Sequence, residues 1–241
     1  MHKIQFIFSL LLLTGISQRG QADFVPKIAL DIGHSKQQPG AISARGKPEF
    51  YFNHDLALIL QDVLTKLQMD AFLIGEDGNT LDLQQRTTLA HDNKASIFLS
   101  IHHDSTQASY LKPWKWQKVG QHYSDKFSGF SLFISRKNQQ PLISLKCARL
   151  IGTALKKNGF NPSNHHAEAI LGENRPWADK NAGVYYYDDL IVLKSAKMPA
   201  VLFEAGVIVN RTEELNLQKT STRHLIATSI SQGLAGCQTL K

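Results

Sequence analysis

Short apolar runs alternate with amphipathic helical patterns along the first hundred residues, and this alternation limits the fold more than any other feature of the sequence. The apolar runs cover residues 28–32, 70–75 and 95–101, and the helical patterns between them cover residues 49–67 and 81–93. Short runs that are apolar throughout are typical of buried strands. Strands that alternate with helices build a parallel sheet covered on both faces, so the sequence predicts a doubly wound α/β fold.

The second half of the chain continues with the same kinds of element at longer intervals. Further strands and helices are predicted at residues 129–135, 141–158, 199–203 and 211–234. Between them, residues 105–128 form a long connection rich in aromatic residues and lysines. Residues 161–189 form a polar segment that we interpret as a solvated loop, with a regulatory or substrate-contacting element as the alternative. The aromatic connection either folds over its own rings or stacks on sugar rings.

The first 22 residues have the features of a secretory signal peptide. Lys3 supplies a positive start, residues 4–16 are apolar but too few to span a bilayer, and residues 20–22 form a small-x-small cleavage site. We therefore expect an exported chain that begins at Asp23 and has no transmembrane segment after cleavage. An uncleaved membrane anchor is the alternative. Nothing in residues 23–241 requires more than one domain.

The charge balance favours an anionic polymer as the partner of the exported chain. The sequence has 27 Lys and Arg, and loss of Lys3 and Arg19 with the signal leaves 25 against 20 Asp and Glu, a net charge of +5. This charge suits a cell wall or a membrane surface. No nucleic-acid partner is expected, because the charges are dispersed and no recognition motif is present.

The sequence contains two cysteines, Cys147 and Cys237. An exported protein meets an oxidising compartment, where the two thiols can form a disulfide. Two separate buried thiols are the alternative, and sequence alone does not decide between them because the distance between the two residues is unknown.

Polar side chains follow several predicted strands at the edge where parallel strands end. They are His34 after the first strand, His102 and His103 after the third, and Glu204 after the strand at 199–203, with Glu49 at the start of the first helix. Ligands bind in the crevice beyond this edge in α/β sheets. Because successive side chains of an extended strand point to opposite faces, only one of the two adjacent histidines is a candidate ligand.

Two histidines and one carboxylate, with a fourth position left for water, are the ligand set of a hydrolytic zinc site. Zinc lowers the pKa of its water to about 7 and polarises a carbonyl. A second carboxylate that is not a ligand can take a proton from the water and return it to a leaving amine. The residues needed for metal-assisted amide hydrolysis are thus present, and polar residues scattered at strand ends are the alternative.

Four motifs in this order resemble the zinc-dependent N-acetylmuramoyl-L-alanine amidases, the enzymes that cleave stem peptides from peptidoglycan. The motifs are Asp31-Ile-Gly-His34 with Pro39-Gly-Ala41, Gly46-x-x-Glu49-x-x-x-Asn53, Ser100-Ile-His102-x-Asp104, and Pro199-Ala-Val-Leu-Phe-Glu204-x-Gly206-x-x-x-Asn210. The resemblance covers about residues 27–235. It implies a single three-layer α/β/α domain, residues 23–241, with a twisted, mostly parallel sheet.

The resemblance also implies roles for individual residues. Zn²⁺ is expected on His34, Glu49 and His102, with His103 at a variable position. Glu204 is expected to be the catalytic carboxylate, the general base for the water that zinc activates. The implied reaction is hydrolysis of the amide between N-acetylmuramic acid and L-alanine, in the periplasm or at the cell wall.

Some features of the sequence depart from the family or leave alternatives open. Ile32 stands where the family usually has Pro, and Ser35-Lys36 where it usually has Gly-Gly, so the loop after His34 is expected to differ in shape. No separate wall-binding domain is evident, so the wall is contacted by the catalytic domain itself or through a protein partner such as an activator.

Some related amidases carry an inhibitory helix over the zinc. Residues 161–189, with Glu168 or Glu173 as the blocking group, are the candidate for such an element. The competing functions are another zinc peptidase that cuts within the stem peptide, and a metal-free wall-binding protein.

Overall fold

A seven-stranded sheet forms the centre of the computed structural model, which describes residues 26–238. In spatial order its strands are β2 (Asp70–Ile74), β1 (Lys27–Ile32), β3 (Ile97–Asp104), β9 (Ala200–Val207), β6 (Ser131–Ile134), β8 (Val184–Tyr186) and β7 (Trp177–Asp179). The first four strands are parallel to one another, whereas β6 is antiparallel to β9 and β7 is antiparallel to β8. The sheet is therefore mixed but mostly parallel.

Helices cover both faces of this sheet. They are α1 (Glu49–Lys66), α2 (Leu83–Asp92), α3 (Pro141–Lys157), α4 (Ile191–Lys194), α5 (Arg211–Leu217) and α6 (Thr220–Gln238). Side chains of α1, α3 and α6 enclose the larger core on one face, and those of α2 and α4 enclose a smaller core on the other. In β1, Ile28 and Leu30 enter the first core and Ala29 enters the second, as expected for alternating side chains. The predicted three-layer α/β/α fold class is confirmed.

Two of the strands are longer than the sequence predicted, and this matters for the site. β3 continues through Asp104 and β9 continues through Val207 because the two strands pair with each other beyond their apolar parts. His102 and Glu204 are direct register partners in this pairing. His102 and Glu204 therefore lie on strands rather than just after them.

Several short elements lie in the segments that carried no clear pattern. The connection 105–128 contains a separate hairpin of β4 (Lys112–Trp116) and β5 (Val119–Tyr123), and the segment 161–189 contains β7 and β8. Strands of three residues are too short to show a period, and they form here because the edge of the sheet offers them backbone partners.

Cys147 and Cys237 form a disulfide, with their Cα atoms 5.0 Å apart. Cys147 lies on α3 and Cys237 lies near the end of α6, and both are buried. Of the two alternatives that the sequence left open, the paired state is the one in the structure. The bond ties the last helix to the helix beside it.

The predicted signal peptide, residues 1–22, lies outside the described residues, so its cleavage stays a prediction. Between residues 26 and 238, no helix is long and apolar enough to cross a membrane.

Candidate metal centre

The three predicted ligands come together at the carboxyl edge of the sheet. His34 Nε2 lies 3.0 Å from Glu49 Oε2, and His102 Nδ1 lies 3.0 Å from the other carboxylate oxygen of Glu49. One ligand atom from each residue lies within 4.8 Å of the other two. Two imidazoles and a carboxylate are donors that zinc accepts in hydrolytic sites, so these residues fit that ion. We call this group the metal centre.

Each side chain of the metal centre is supplied by a different element. His34 follows β1, Glu49 is the first residue of α1, and His102 lies in β3. His34 has a left-handed backbone conformation with φ of 69°, which residues other than glycine rarely adopt. This turn ends the strand and leaves the imidazole beside the start of the helix.

Two glycines provide the space that the metal centre requires. A Cβ atom at Gly33 would overlap the ring of His102, and a Cβ atom at Gly40 would overlap the Glu49 carboxylate and the His34 ring. Gly40 also has a φ of 77°, in the left-handed region that glycine adopts at no steric cost. The backbone can pass this close to the ligands only where it carries no side chain.

Glu49 is buried, yet its surroundings favour the ionised form. Its two oxygens accept hydrogen bonds from the Ala41 backbone N–H at 3.0 Å and from Asn53 Nδ2 at 3.1 Å. Burial alone would raise the pKa of Glu49, but the hydrogen bonds and charges of His102 and His34 outweigh it and hold the pKa well below its usual value. An ionised carboxylate between two imidazoles is ready to bind a cation.

His103, the other member of the adjacent pair, lies outside the metal centre. Its Nδ1 lies 2.8 Å from Asn53 Oδ1, and its ring packs near Phe52. Burial lowers the pKa of His103 to about 3, so the ring is neutral. Asn53, four residues after Glu49 on the same helical face, thereby connects His103 to the Glu49 carboxylate.

A buried ion pair behind the metal centre holds the backbone of His34. Arg86 Nη1 donates to Asp31 Oδ1 at 2.7 Å, and Arg86 Nη2 donates to the His34 carbonyl at 2.7 Å. Ser100 Oγ donates to the second Asp31 oxygen at 2.6 Å. No motif in the sequence marks Arg86, although the carboxylate of Asp31 inside the apolar strand β1 indicates a buried partner.

Glu204 faces the metal centre from the neighbouring strand. It is the register partner of His102, and both residues line the same groove. Glu204 Oε2 is buried and has no hydrogen-bond partner among the described residues. Burial raises the pKa of Glu204 well above its usual value, and the charges of Asp104 and Glu49 raise it further. A carboxyl group beside the candidate ligands but not among them is suited to carry a proton.

A second group of titratable residues lies next to Glu204. The Nε2 atoms of His165 and His166 lie 3.2 and 2.7 Å from Asp104 Oδ2, and His166 Nδ1 lies 2.8 Å from Glu173 Oε2. We call Asp104, His165, His166 and Glu173 the histidine cluster. Both histidines are buried, so the solvated-loop interpretation is wrong for this part of the segment. Phenylalanine rings from the neighbouring elements pack on the two imidazoles.

The two carboxylates proposed as blocking groups have partners outside the metal centre. Glu173 contacts His166, and Glu168 accepts a hydrogen bond of 2.9 Å from the Tyr110 hydroxyl. The segment 161–189 nevertheless borders the groove that holds Glu204, since Glu173 lines it.

The aromatic connection packs against the protein through its hairpin. Trp114 Nε1 donates to the Ala44 carbonyl at 2.8 Å, and the Arg45 guanidinium lies 4.8 Å from the centre of the Trp116 ring. These contacts favour the first of the two interpretations of residues 105–128, in which the rings pack within the molecule.

Comparison with known proteins shows which family has these features. A family model described as N-acetylmuramoyl-L-alanine amidase (Amidase_3) matches residues 28–236. The chain belongs to this family. The match spans β1 to α6 and so includes every residue of the metal centre and Glu204. The resemblance found in the four motifs is confirmed, and the chain is an amidase of this class.

Individual amidases show the extent of the similarity. The N-acetylmuramoyl-L-alanine amidase AmiA of Salmonella typhimurium is 26% identical over 222 residues, which cover 86% of this chain and 74% of AmiA. The AmiA of Escherichia coli is 25% identical over the same shares of the two chains.

Solved structures of amidases share the fold. Ami1 from Mycobacterium smegmatis superimposes with a TM-score of 0.69 at 20% identity, covering 89% of this chain and 97% of Ami1. CwlD from Clostridioides difficile, solved in complex with the GerS lipoprotein, has a TM-score of 0.67 at 21% identity, covering 90% of this chain and all of CwlD.

Proposed function

We propose that this amidase is an exported zinc enzyme that hydrolyses the amide between N-acetylmuramic acid and L-alanine in peptidoglycan. The observation that supports the metal is the convergence of His34, Glu49 and His102 within 4.8 Å, with the Glu49 carboxylate ionised between two imidazoles. These three residues would hold Zn²⁺. When bound, zinc supplies a Lewis acid for the scissile carbonyl and makes a nearby water more acidic.

Glu204 is the general base and general acid in this proposal. Its carboxylate takes a proton from the attacking water as the water oxygen bonds to the lactyl carbonyl carbon. The same proton then passes to the L-alanine nitrogen as the carbon–nitrogen bond breaks. The products are the lactyl carboxylic acid of the glycan, which loses its proton to solvent, and a stem peptide with a free amino group. Glu204 and His102 line one groove, so a substrate bound there would reach both residues.

The surrounding network keeps the proposed ligands in place. Arg86 holds the His34 carbonyl, and Asn53 holds the Glu49 carboxylate. Hydrogen bonds of this kind orient metal ligands. The network thus prepares the ligands before the ion or the substrate arrives.

Export and the wall substrate form part of the same proposal. The predicted signal peptide and the net charge of +5 on residues 23–241 both suit an enzyme that works on an anionic wall in the periplasm or at the cell surface. A protein activator stays a prediction for this chain.

Digestion of purified peptidoglycan tests the function directly. The mature chain is incubated with peptidoglycan, with and without a chelator, and the soluble products are identified by mass. We expect chelator-sensitive release of whole stem peptides that begin with a free L-alanine. Release of stem fragments would instead identify a peptidase that cuts within the stem.

Matched variants separate the proton carrier from the ligands. Glu204→Gln should retain the zinc of the metal centre but lose roughly 10²- to 10⁴-fold in rate. His102→Gln should lose that zinc as well as activity. Glu76→Gln, which changes an exposed carboxylate, is the control and should keep full activity. Loss of zinc from Glu204→Gln would contradict the assignment of Glu204 as a base that is not a ligand.

A further inference from the structure

The histidine cluster has no part in the proposed reaction, and its residues come from distant parts of the chain. Asp104 ends β3, whereas His165 and His166 lie in a single 3₁₀ turn, His165–Ala167. Such a turn allows adjacent side chains to converge, which an extended strand does not. One ligand atom from each of Asp104, His165 and His166 lies within 4.8 Å of the other two.

Both imidazoles of the cluster are held through the ring nitrogen that faces away from Asp104. His165 Nδ1 lies 2.8 Å from Ser163 Oγ, and His166 Nδ1 lies 2.8 Å from Glu173 Oε2. The two Nε2 atoms are thereby directed at a single oxygen, Asp104 Oδ2. Histidines that bind metals typically have this arrangement, with one ring nitrogen on the ion and the other on a carboxylate or another polar group.

Hydrogen bonds within the cluster leave one buried atom unsatisfied. His165 is 2% exposed, and its Nε2 makes no hydrogen bond although Asp104 Oδ2 lies 3.2 Å away. His166 satisfies its own contacts with Asp104 and Glu173 but gives His165 Nε2 no partner. A buried polar atom without a hydrogen bond lacks compensation for its lost hydration. A cation at the point where the three atoms converge would bind all of them.

The charge of the surroundings also favours a cation. Within residues 26–238, the ion pairs of Asp104 and Glu173 involve only the two histidines. Arg175, on the same segment, has its guanidinium 3.5 Å from the centre of the Tyr187 ring. No lysine or arginine in the described part of the chain therefore forms an ion pair with the carboxylates of the cluster.

We propose that Asp104, His165 and His166 bind a second divalent transition-metal ion, beside the metal centre. Two imidazole nitrogens and a carboxylate oxygen suit zinc and other first-row ions. The groove lined by Glu173 and Glu204 reaches His166, so the ion has a path to the site. The bound ion ties the segment that follows α3 to the end of β3, next to Glu204.

Metal stoichiometry tests this proposal. The purified chain is stripped with a chelator and titrated with Zn²⁺ against a chromophoric competitor, and the titration is repeated with Co²⁺, whose visible absorption reports the ligands. We expect two equivalents for the wild-type chain. His165→Ala and His34→Ala should each bind one equivalent, and the double variant should bind none. Glu173→Gln should weaken only one equivalent, roughly 10- to 100-fold.

The control is His122→Ala, which removes an exposed histidine of the hairpin and should leave two equivalents. The proposal is overturned if the wild-type chain binds one equivalent that His34→Ala loses and His165→Ala keeps. The histidine cluster is then an ion-pair network without a metal. If the wild-type chain binds one equivalent that only His165→Ala loses, the second site is supported and zinc binding at the metal centre is contradicted. Circular dichroism checks folding, and Glu173→Gln decides the matter if His165→Ala unfolds.

Discussion

The Arg86 guanidinium donates a hydrogen bond of 2.7 Å to the backbone carbonyl of His34, 52 residues away in the sequence. Its other terminal nitrogen pairs with Asp31 and with the Ile32 carbonyl. One side chain on α2 therefore holds two backbone carbonyls and one carboxylate in the short stretch that ends at a proposed metal ligand. The planar fork of arginine makes this possible, because it directs several N–H groups at fixed angles.

The first prediction follows from this geometry. Arg86→Lys keeps the buried charge next to Asp31 but cannot make the forked contact, so we expect zinc affinity at the metal centre to fall roughly 10- to 100-fold. Affinity is measured by competition with a chelator. The matched control is Arg136→Lys, at an exposed arginine paired with Asp188, which should not change zinc affinity. An unchanged affinity in a folded Arg86→Lys protein would show that the His34 backbone needs no such support.

A second prediction concerns the space at Gly40. Gly40→Ala places a methyl group against Glu49 and His34 in a left-handed conformation, so it should abolish zinc binding at the metal centre. Gly159→Ala is the matched control, because Gly159 also has a positive φ, of 90°, but an added Cβ would meet nothing within 4 Å. Both variants should lose about 1–2 kcal/mol of stability from the backbone strain. Equal zinc affinities in the two variants would contradict the prediction.

A third prediction separates the two adjacent histidines of β3. His103→Gln removes the contact with Asn53 and should lower the free energy of unfolding by about 1–3 kcal/mol, since it leaves a buried polar group without its partner. It should nevertheless retain zinc at the metal centre, whereas His102→Gln should lose it. Urea denaturation and metal analysis of the two variants supply the measurements. If a folded His103→Gln protein loses that zinc completely, the prediction that His103 is not a ligand is contradicted.

A fourth prediction concerns the disulfide between Cys147 and Cys237. The two residues are separated by 90 positions, so the bond restricts a long loop of the unfolded chain. We expect the Cys147→Ser, Cys237→Ser double variant to lose about 2–4 kcal/mol of unfolding free energy. A reducing agent should lower the melting temperature of the wild-type chain and leave the double variant unchanged. Identical melting temperatures with and without reductant in the wild-type chain would contradict the pairing.

A fifth prediction gives the pH dependence contributed by Glu213. Its carboxylate accepts hydrogen bonds of 2.8 Å from the Gly129 and Val207 N–H groups, yet burial raises its pKa from 4.5 to about 7. The folded chain thus holds this proton more tightly than the unfolded chain. The resulting stability is fully present below pH 4.5 and is lost as the pH rises through about 7.

Urea denaturation across this pH range measures the effect. Glu213→Gln should remove that part of the pH dependence of the unfolding free energy. Glu76→Gln, at an exposed carboxylate, should leave it unchanged. If the Glu213→Gln profile keeps the wild-type slope between pH 4.5 and 7, another group is responsible.

Much of the site could be anticipated from local pattern. An apolar run that ends at a polar residue indicates a buried strand and the position of its carboxyl end. His34, His102 and Glu204 could therefore be assigned to the same edge of the sheet. The choice of His102 over His103 came from the resemblance to the amidases, and alternation along β3 explains why only one of them reaches the metal centre.

The sequence alone determined the alternation of strands and helices, the α/β class and the edge where the polar residues collect, because these depend on periodicity within single elements. The tertiary structure decided what depends on contacts between elements: the reversed direction of β6, the Arg86 contact with His34, and the disulfide. It also buried His165 and His166 against Asp104, where the polar composition of their segment had favoured solvent. The composition of a segment indicates only how exposed such residues are on average. The burial of these two histidines depends on the aromatic rings and the end of β3 that lie beside them.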